Sequence, residues 1–200
     1  MKIGVLAFQG DFQRHYELLI SMGADVRYIR SANELEEVGA LVLPGGESTT
    51  IGKLLVRFEM MEPLRARIEA GMPVFGTCAG AILLAKEIEG SSQDRVGVMN
   101  IRVARNAYGR QIESFEADLQ IDGIKGEPMR AVFIRAPIIT EIGANVEVVV
   151  NFEGSPVVVR QGALLATTFH PELTGDNRLH RLFLDLATTP AQADLSSRLR

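Results

Sequence analysis

Pro73-Val74-Phe75-Gly76-Thr77-Cys78-Ala79-Gly80-Ala81-Ile82-Leu83-Leu84 is the stretch that decides the fold. Residues 73–76 read as a short buried strand and 79–86 as an apolar helix. Only Thr77 and Cys78 separate them, so the chain turns sharply from strand to helix. Gly76 and Gly80 flank Cys78 two positions away on either side, the G-x-nucleophile-x-G spacing of a nucleophile elbow with Cys in the place of Ser. Small residues there let the turn pack against neighbouring backbone. The positive end of the following helix favours negative charge on the sulfur.

The same alternation extends outward. Residues 3–7, 26–29 and 40–43 read as strands, and 11–22 as an amphipathic helix with Phe12, Tyr16, Leu19 and Ile20 on one face and Gly23 as its stop. A helix starts near Ser48 and runs through 55. Another carries Pro63 early and ends at Gly71. A β-α-β-α order implies a mostly parallel sheet with helices on both faces, an α/β three-layer αβα sandwich. After residue 90 the texture changes. Residues 96–104, 116–121, 131–134, 146–150, 157–160 and 164–168 read as strands with short turns, antiparallel additions to the main sheet. Residues 176–187 read as a last helix with Asp176 as N-cap. The expected organisation is one domain over 1–187. The tail 188–200 contains Pro190, shows no apolar periodicity and is expected to be disordered.

The 200 residues carry a formal net charge of −4, which argues against long-range attraction to nucleic acid or an anionic membrane. No apolar run approaches the roughly 20 residues a bilayer span requires. The apolar start ends at Gln9-Gly10-Asp11 and reads as a first strand, not a leader peptide. One cysteine excludes an intrachain disulfide and fits a reducing, cytoplasmic setting.

A cysteine nucleophile needs a base, and the base needs an orienting partner. Of three histidines, His15 and His180 lie on amphipathic helices and read as helix-face residues. His170 ends the strand 164–169 in Phe169-His170-Pro171-Glu172, where catalytic groups of this architecture collect. Glu172 is spaced to hydrogen-bond the imidazole. Pro44-Gly45-Gly46-Glu47-Ser48 closes the third strand. Its glycines allow close approach of backbone N–H groups to a ligand, and with the N–H of Ala79 they form a candidate oxyanion hole centred on Gly46 and Ala79. Ser48 also reads as an N-cap. Arg105 and Arg135 are by spacing ordinary solvated arginines, though either suits a substrate carboxylate. One Cys and three scattered His make a poor metal set, so no metal or cofactor is expected.

These segments together resemble the class I (triad) glutamine amidotransferases. The finer pattern is similar to the glutaminase subunits of pyridoxal 5′-phosphate synthase. It is carried by Gly4-Val5-Leu6-Ala7-Phe8-Gln9-Gly10, Leu43-Pro44-Gly45-Gly46-Glu47-Ser48-Thr49-Thr50, Arg105-Asn106, Gly109-Arg110-Gln111, Ser114-Phe115-Glu116-Ala117-Asp118-Leu119, Phe133-Ile134-Arg135-Ala136-Pro137 and Phe169-His170-Pro171-Glu172-Leu173. The resemblance implies a triad of Cys78, His170 and Glu172. It implies glutamine contacts from Gly46, Glu47, Ser48, Arg105, Ile134 and Arg135. It further implies hydrolysis of glutamine to glutamate and ammonia, and passage of the ammonia to a separate (β/α)₈-barrel synthase subunit in a large hetero-oligomer that makes vitamin B6. Two other readings of the residues stay open, a free-standing hydrolase of γ-glutamyl compounds and a regulatory module with a vestigial site.

Overall fold

The computed structural model describes residues 1–105, 114–121 and 127–188. Asn106, the Gly109-Arg110-Gln111 segment and the tail beyond 188 lie outside these residues.

Apolar β-branched and leucine runs build a seven-stranded sheet. Its strands are β1 (Lys2–Leu6), β2 (Asp25–Ile29), β3 (Ala40–Leu43), β4 (Val74–Thr77), β10 (Glu147–Phe152), β11 (Ser155–Gln161) and β12 (Leu164–Thr167), in spatial order β10-β11-β12-β4-β3-β1-β2. β2, β1, β3, β4 and β12 are mutually parallel. β10 and β11 extend that sheet as an antiparallel edge.

Alternation along the central strands divides the core in two. Leu41, Leu43, Val74, Leu164 and Ala166 face one side, where α2 (Ala32–Glu36), α3 (Ser48–Arg57), α4 (Met61–Glu69) and α5 (Ala79–Leu84) pack. Ala40, Val42, Phe75 and Leu165 face the other, against α1 (Phe12–Ser21) and α6 (Arg178–Thr188). Both faces are therefore covered, which is why these strands read as continuous apolar runs.

Among the described residues, two smaller sheets accompany the large one. β5 (Ala85–Ile88), β6 (Met99–Ala104) and β9 (Ile138–Ile142) form one, and the hairpin β7 (Ser114–Leu119) with β8 (Met129–Ile134) forms the other. Phe115 and Phe133 stack on that hairpin at 4.5 Å between centroids, and Phe133 meets Phe169 at 5.3 Å, which ties the hairpin to the end of β12.

The structure differs from the sequence expectation in several elements. The helix expected over 79–86 stops at Leu84, because Ala85 adopts an extended ψ of 136° and starts β5. α2, capped by the Ser31 side chain, and β9 were not expected. Glu47, not Ser48, is the N-cap of α3. The last helix starts at Arg178. Asp176 lies one residue ahead of the capping position, yet its carboxylate still accepts the Arg178 N–H at 3.0 Å.

The strand order changes direction at β1 and β3. Ligands of doubly wound sheets bind at such a switch point, beyond the carboxyl ends of the strands. Gln9-Gly10-Asp11, Gly45-Gly46-Glu47, Cys78 and His170 all follow such ends.

Candidate active site

Cys78 leaves β4 with φ +48° and ψ −99°, a region that non-glycine residues rarely occupy. The turn is held from both directions. The Cys78 N–H donates to the Thr167 carbonyl of β12 at 2.8 Å, and the Cys78 carbonyl accepts the Ile82 N–H at 3.2 Å. Close packing explains the flanking glycines. A Cβ on Gly80 would come 2.0 Å from the Leu43 carbonyl oxygen, and one on Gly76 would come 2.7 Å from Gly80 backbone. The Sγ of Cys78 is buried and 3.8 Å from the Ile134 carbonyl. Ala79 is the first residue of α5, so its N–H has no acceptor within the helix.

His170 follows β12 and is anchored by its N–H to the Val132 carbonyl of β8 at 2.9 Å. Its Nδ1 lies 2.8 Å from Glu172 Oε1, so Nδ1 carries the proton and Nε2 is the nitrogen left for sulfur. Burial works against the charged imidazole. Hydrogen bonding to Cys78 and Glu172 outweighs it, and the His170 pKa rises from 6.5 to about 10. An imidazolium beside a sulfur nucleophile is the pairing that thiol chemistry requires. Gly45 packs against this ring: a Cβ there would come 2.3 Å from His170 Cε1.

The structure brings Cys78, His170 and Glu172 together, and all three are buried. Glu47, Ser48 and Arg105 also converge. The Glu47 carboxylate caps α3, accepting from Thr50 N at 2.7 Å and Thr49 N at 3.2 Å, and these bonds hold its pKa low against the opposing effect of burial. Arg105 donates to Thr49 Oγ1 at 3.0 Å, to Gln93 Oε1, and to Glu47 Oε1 at 3.4 Å. Ser48 Oγ reaches the same Gln93 oxygen at 3.5 Å. Arg135 is exposed at the end of β8 with φ +44°. Gly46 lies beside Gln9, whose Oε1 accepts the Glu47 N–H at 2.7 Å.

Sequence reasoning missed several neighbours. Gln9 and Gln93 carry no local signal of their roles. Asp11 Oδ2 lies 3.6 Å from His170 Nδ1. Ligand atoms of Asp11, His170 and Glu172 fall within 4.8 Å of one another, but Nδ1, the donor to Glu172 Oε1, carries a proton where a cation would need a lone pair. His15 and His180, expected on a helix face, are fully buried behind Glu172. Two amphipathic patterns give no sign that their buried faces meet under one carboxylate.

A buried sulfur on a strand-to-helix elbow, with a charged imidazole and a carboxylate behind it, marks a thiol enzyme of the glutamine amidotransferase class. The sequence profile of the SNO glutamine amidotransferase family matches residues 5–188, and the chain belongs to that family. Pyridoxal 5′-phosphate synthase subunit PdxT of Pelotomaculum thermopropionicum is 57% identical over 192 residues, spanning 96% of this chain and 98% of that protein. The subunit of the same name from Carboxydothermus hydrogenoformans is 55% identical over 185 residues, 92% of this chain and 97% of its own. A crystal structure described as a glutamine amidotransferase superposes with a TM-score of 0.89 at 51% identity, over 94% of this chain and 99% of that one. PurLQS from Thermotoga maritima shares the fold, with a TM-score of 0.69 at 15% identity over 92% and 97%.

Proposed function

We propose that this protein hydrolyses L-glutamine to L-glutamate and ammonia through a thioester on Cys78, and that the ammonia goes to a synthase subunit that makes pyridoxal 5′-phosphate. The observation that carries the reading is the buried Cys78–His170–Glu172 constellation on the elbow. Relatives of nearly the same length named as the PdxT subunit support its biosynthetic setting.

The Cys78 sulfur attacks the γ-carboxamide carbon, and a C–S bond forms as the carbonyl becomes an oxyanion. N–H groups of Ala79 and Gly46 stabilise that charge. The imidazolium of His170 gives its Nε2 proton to the amide nitrogen, the C–N bond breaks and ammonia leaves. Water then attacks the thioester while His170 takes its proton. The C–S bond breaks, glutamate is released and the sulfur returns to its starting state. Glu172 holds the His170 ring throughout. Glu47, Ser48, Arg105, Ile134 and Arg135 line the glutamine site, with the two arginines suited to the α-carboxylate.

Free ammonia in neutral water is mostly ammonium and not nucleophilic, so a partner must receive it directly. The expected partner is a (β/α)₈-barrel synthase subunit in a large hetero-oligomer. The test is ammonia release from L-glutamine and from γ-glutamyl peptides, with and without that subunit. Glutamine-selective turnover raised by the synthase is expected. Equal turnover of γ-glutamyl peptides, indifferent to the synthase, contradicts the reading.

A further inference from the structure

His15 on α1 and His180 on α6 are fully buried and joined, His15 Nδ1 to His180 Nε2 at 2.8 Å. His15 Nε2 points the other way. It lies 3.1 Å from Thr77 Oγ1, one residue before the nucleophile, and 3.4 Å from Glu172 Oε2. That last contact is at ion-pair distance but lacks the alignment of a formed hydrogen bond, and Oε2 is otherwise buried without a partner. The other oxygen of the same carboxylate holds His170.

Leucine or phenylalanine would fill this space without the cost of desolvating two imidazoles. Burial, with the neighbouring His180 and His170 charges, pushes the His15 pKa well below 6.5, and burial alone lowers His180 to about 4. Both rings are therefore neutral at neutral pH, each with one N–H. His180 Nδ1 has no hydrogen-bond partner among the described residues. A buried orphan acceptor is tolerated more readily than an orphan donor. His180 thus carries its proton on Nε2 and donates to His15 Nδ1, which places the His15 proton on Nε2, facing Glu172 and Thr77.

We infer that His15 is a positioning residue of this glutaminase: its Nε2–H, hydrogen-bonded to Thr77 Oγ1, also turns its positive pole on the second oxygen of Glu172 at 3.4 Å, and so steadies the carboxylate plane that orients His170, while His180 sets the His15 tautomer. The inference rests on the proposed thioester mechanism and extends the chain of contacts from Cys78 through His170 and Glu172 to His15 and His180.

The test measures glutamine turnover by the complex with its synthase for wild type, His15→Leu, His15→Gln, Glu172→Gln and the double variant His15→Leu/Glu172→Gln. His15→Leu is expected to lower kcat on the order of tenfold or more, the scale of leaving a buried carboxylate oxygen without the polar N–H that faces it, with KM unchanged. His15→Gln, whose amide N–H reaches the Nε2 position, restores most of that loss. In the Glu172→Gln background, His15→Leu adds little further loss, because both act through one carboxylate. Full kcat in His15→Leu, no recovery in His15→Gln, or an equal further loss in the Glu172→Gln background overturns the assignment. If His15→Leu does not fold, His15→Gln is compared with His15→Asn, whose shorter amide does not reach the Nε2 position. Gln well above Asn supports the assignment and equality overturns it. Cys78→Ala in the same assay separates the two claims: retained activity there removes the thioester mechanism itself.

Discussion

Cys78 sits at φ +48° and ψ −99°, held there by its backbone hydrogen bonds to Thr167 and Ile82 and by the close packing of Gly76 and Gly80. A residue in such a region costs on the order of 1–3 kcal/mol. Cys78→Gly should therefore be more stable than Cys78→Ala by about 1 kcal/mol, read as the difference in thermal unfolding between two variants that both lack the sulfur. His170 and Glu172 were legible from sequence for the same reason as Cys78. Each lies within a few residues of a strand end, in a local motif whose spacing has a chemical purpose. His15 and His180 were not. Helical periodicity says which face is buried, but not that two buried faces converge on a carboxylate from a third segment. Arg105 read as an ordinary solvated side chain because its partners Glu47, Thr49 and Gln93 come from other parts of the chain.

The turn between β3 and α3 combines two functions in one short segment. Glu47 caps the helix through Thr49 and Thr50, and its carboxylate also meets Arg105. Glu47→Ala should cost about 1 kcal/mol of stability from the lost cap, measured by chemical denaturation, and also weaken glutamine binding, seen as a raised KM. Gly45 is constrained differently. Gly45→Ala would drive a methyl group into the His170 ring, so kcat should fall while the elbow remains intact. A Gly45→Ala variant with wild-type kcat would show that the ring does not need its observed position. The parallel strands were legible because burial on both faces makes them continuous apolar runs bounded by glycine or proline. β5 and β9 were not, because they follow directly on a helix or a proline and expose Lys86 and Glu87, or Thr140 and Glu141, so neither forms a continuous apolar run nor a clear alternation.

At the scale of the whole molecule, its three histidines tie stability to pH in opposite senses. The folded pKa of His170, about 10, lies above the ordinary 6.5, so its contribution is full below 6.5 and lost as pH rises through 10. His180, at about 4 when folded, contributes fully above 6.5, and that contribution falls as pH drops towards 4 because the unfolded chain binds the proton first. His15 shifts in the same direction as His180. Thermal stability should therefore peak near pH 6.5, with slopes of about 1.4 kcal/mol per pH unit for each group inside its window. His180→Asn should flatten the acid side and Cys78→Ala the alkaline side. An unfolding temperature that is flat from pH 5 to 9 would contradict this. Among the described residues no helix is long and apolar enough to cross a membrane. The proposal that Cys78 carries the γ-glutamyl group of glutamine as a thioester is measured most directly by ammonia release from L-glutamine by the synthase complex containing either wild type or Cys78→Ala. Turnover is expected with wild type, and none with a Cys78→Ala protein that still folds and still binds the synthase; turnover at the wild-type rate without the sulfur would contradict the thioester.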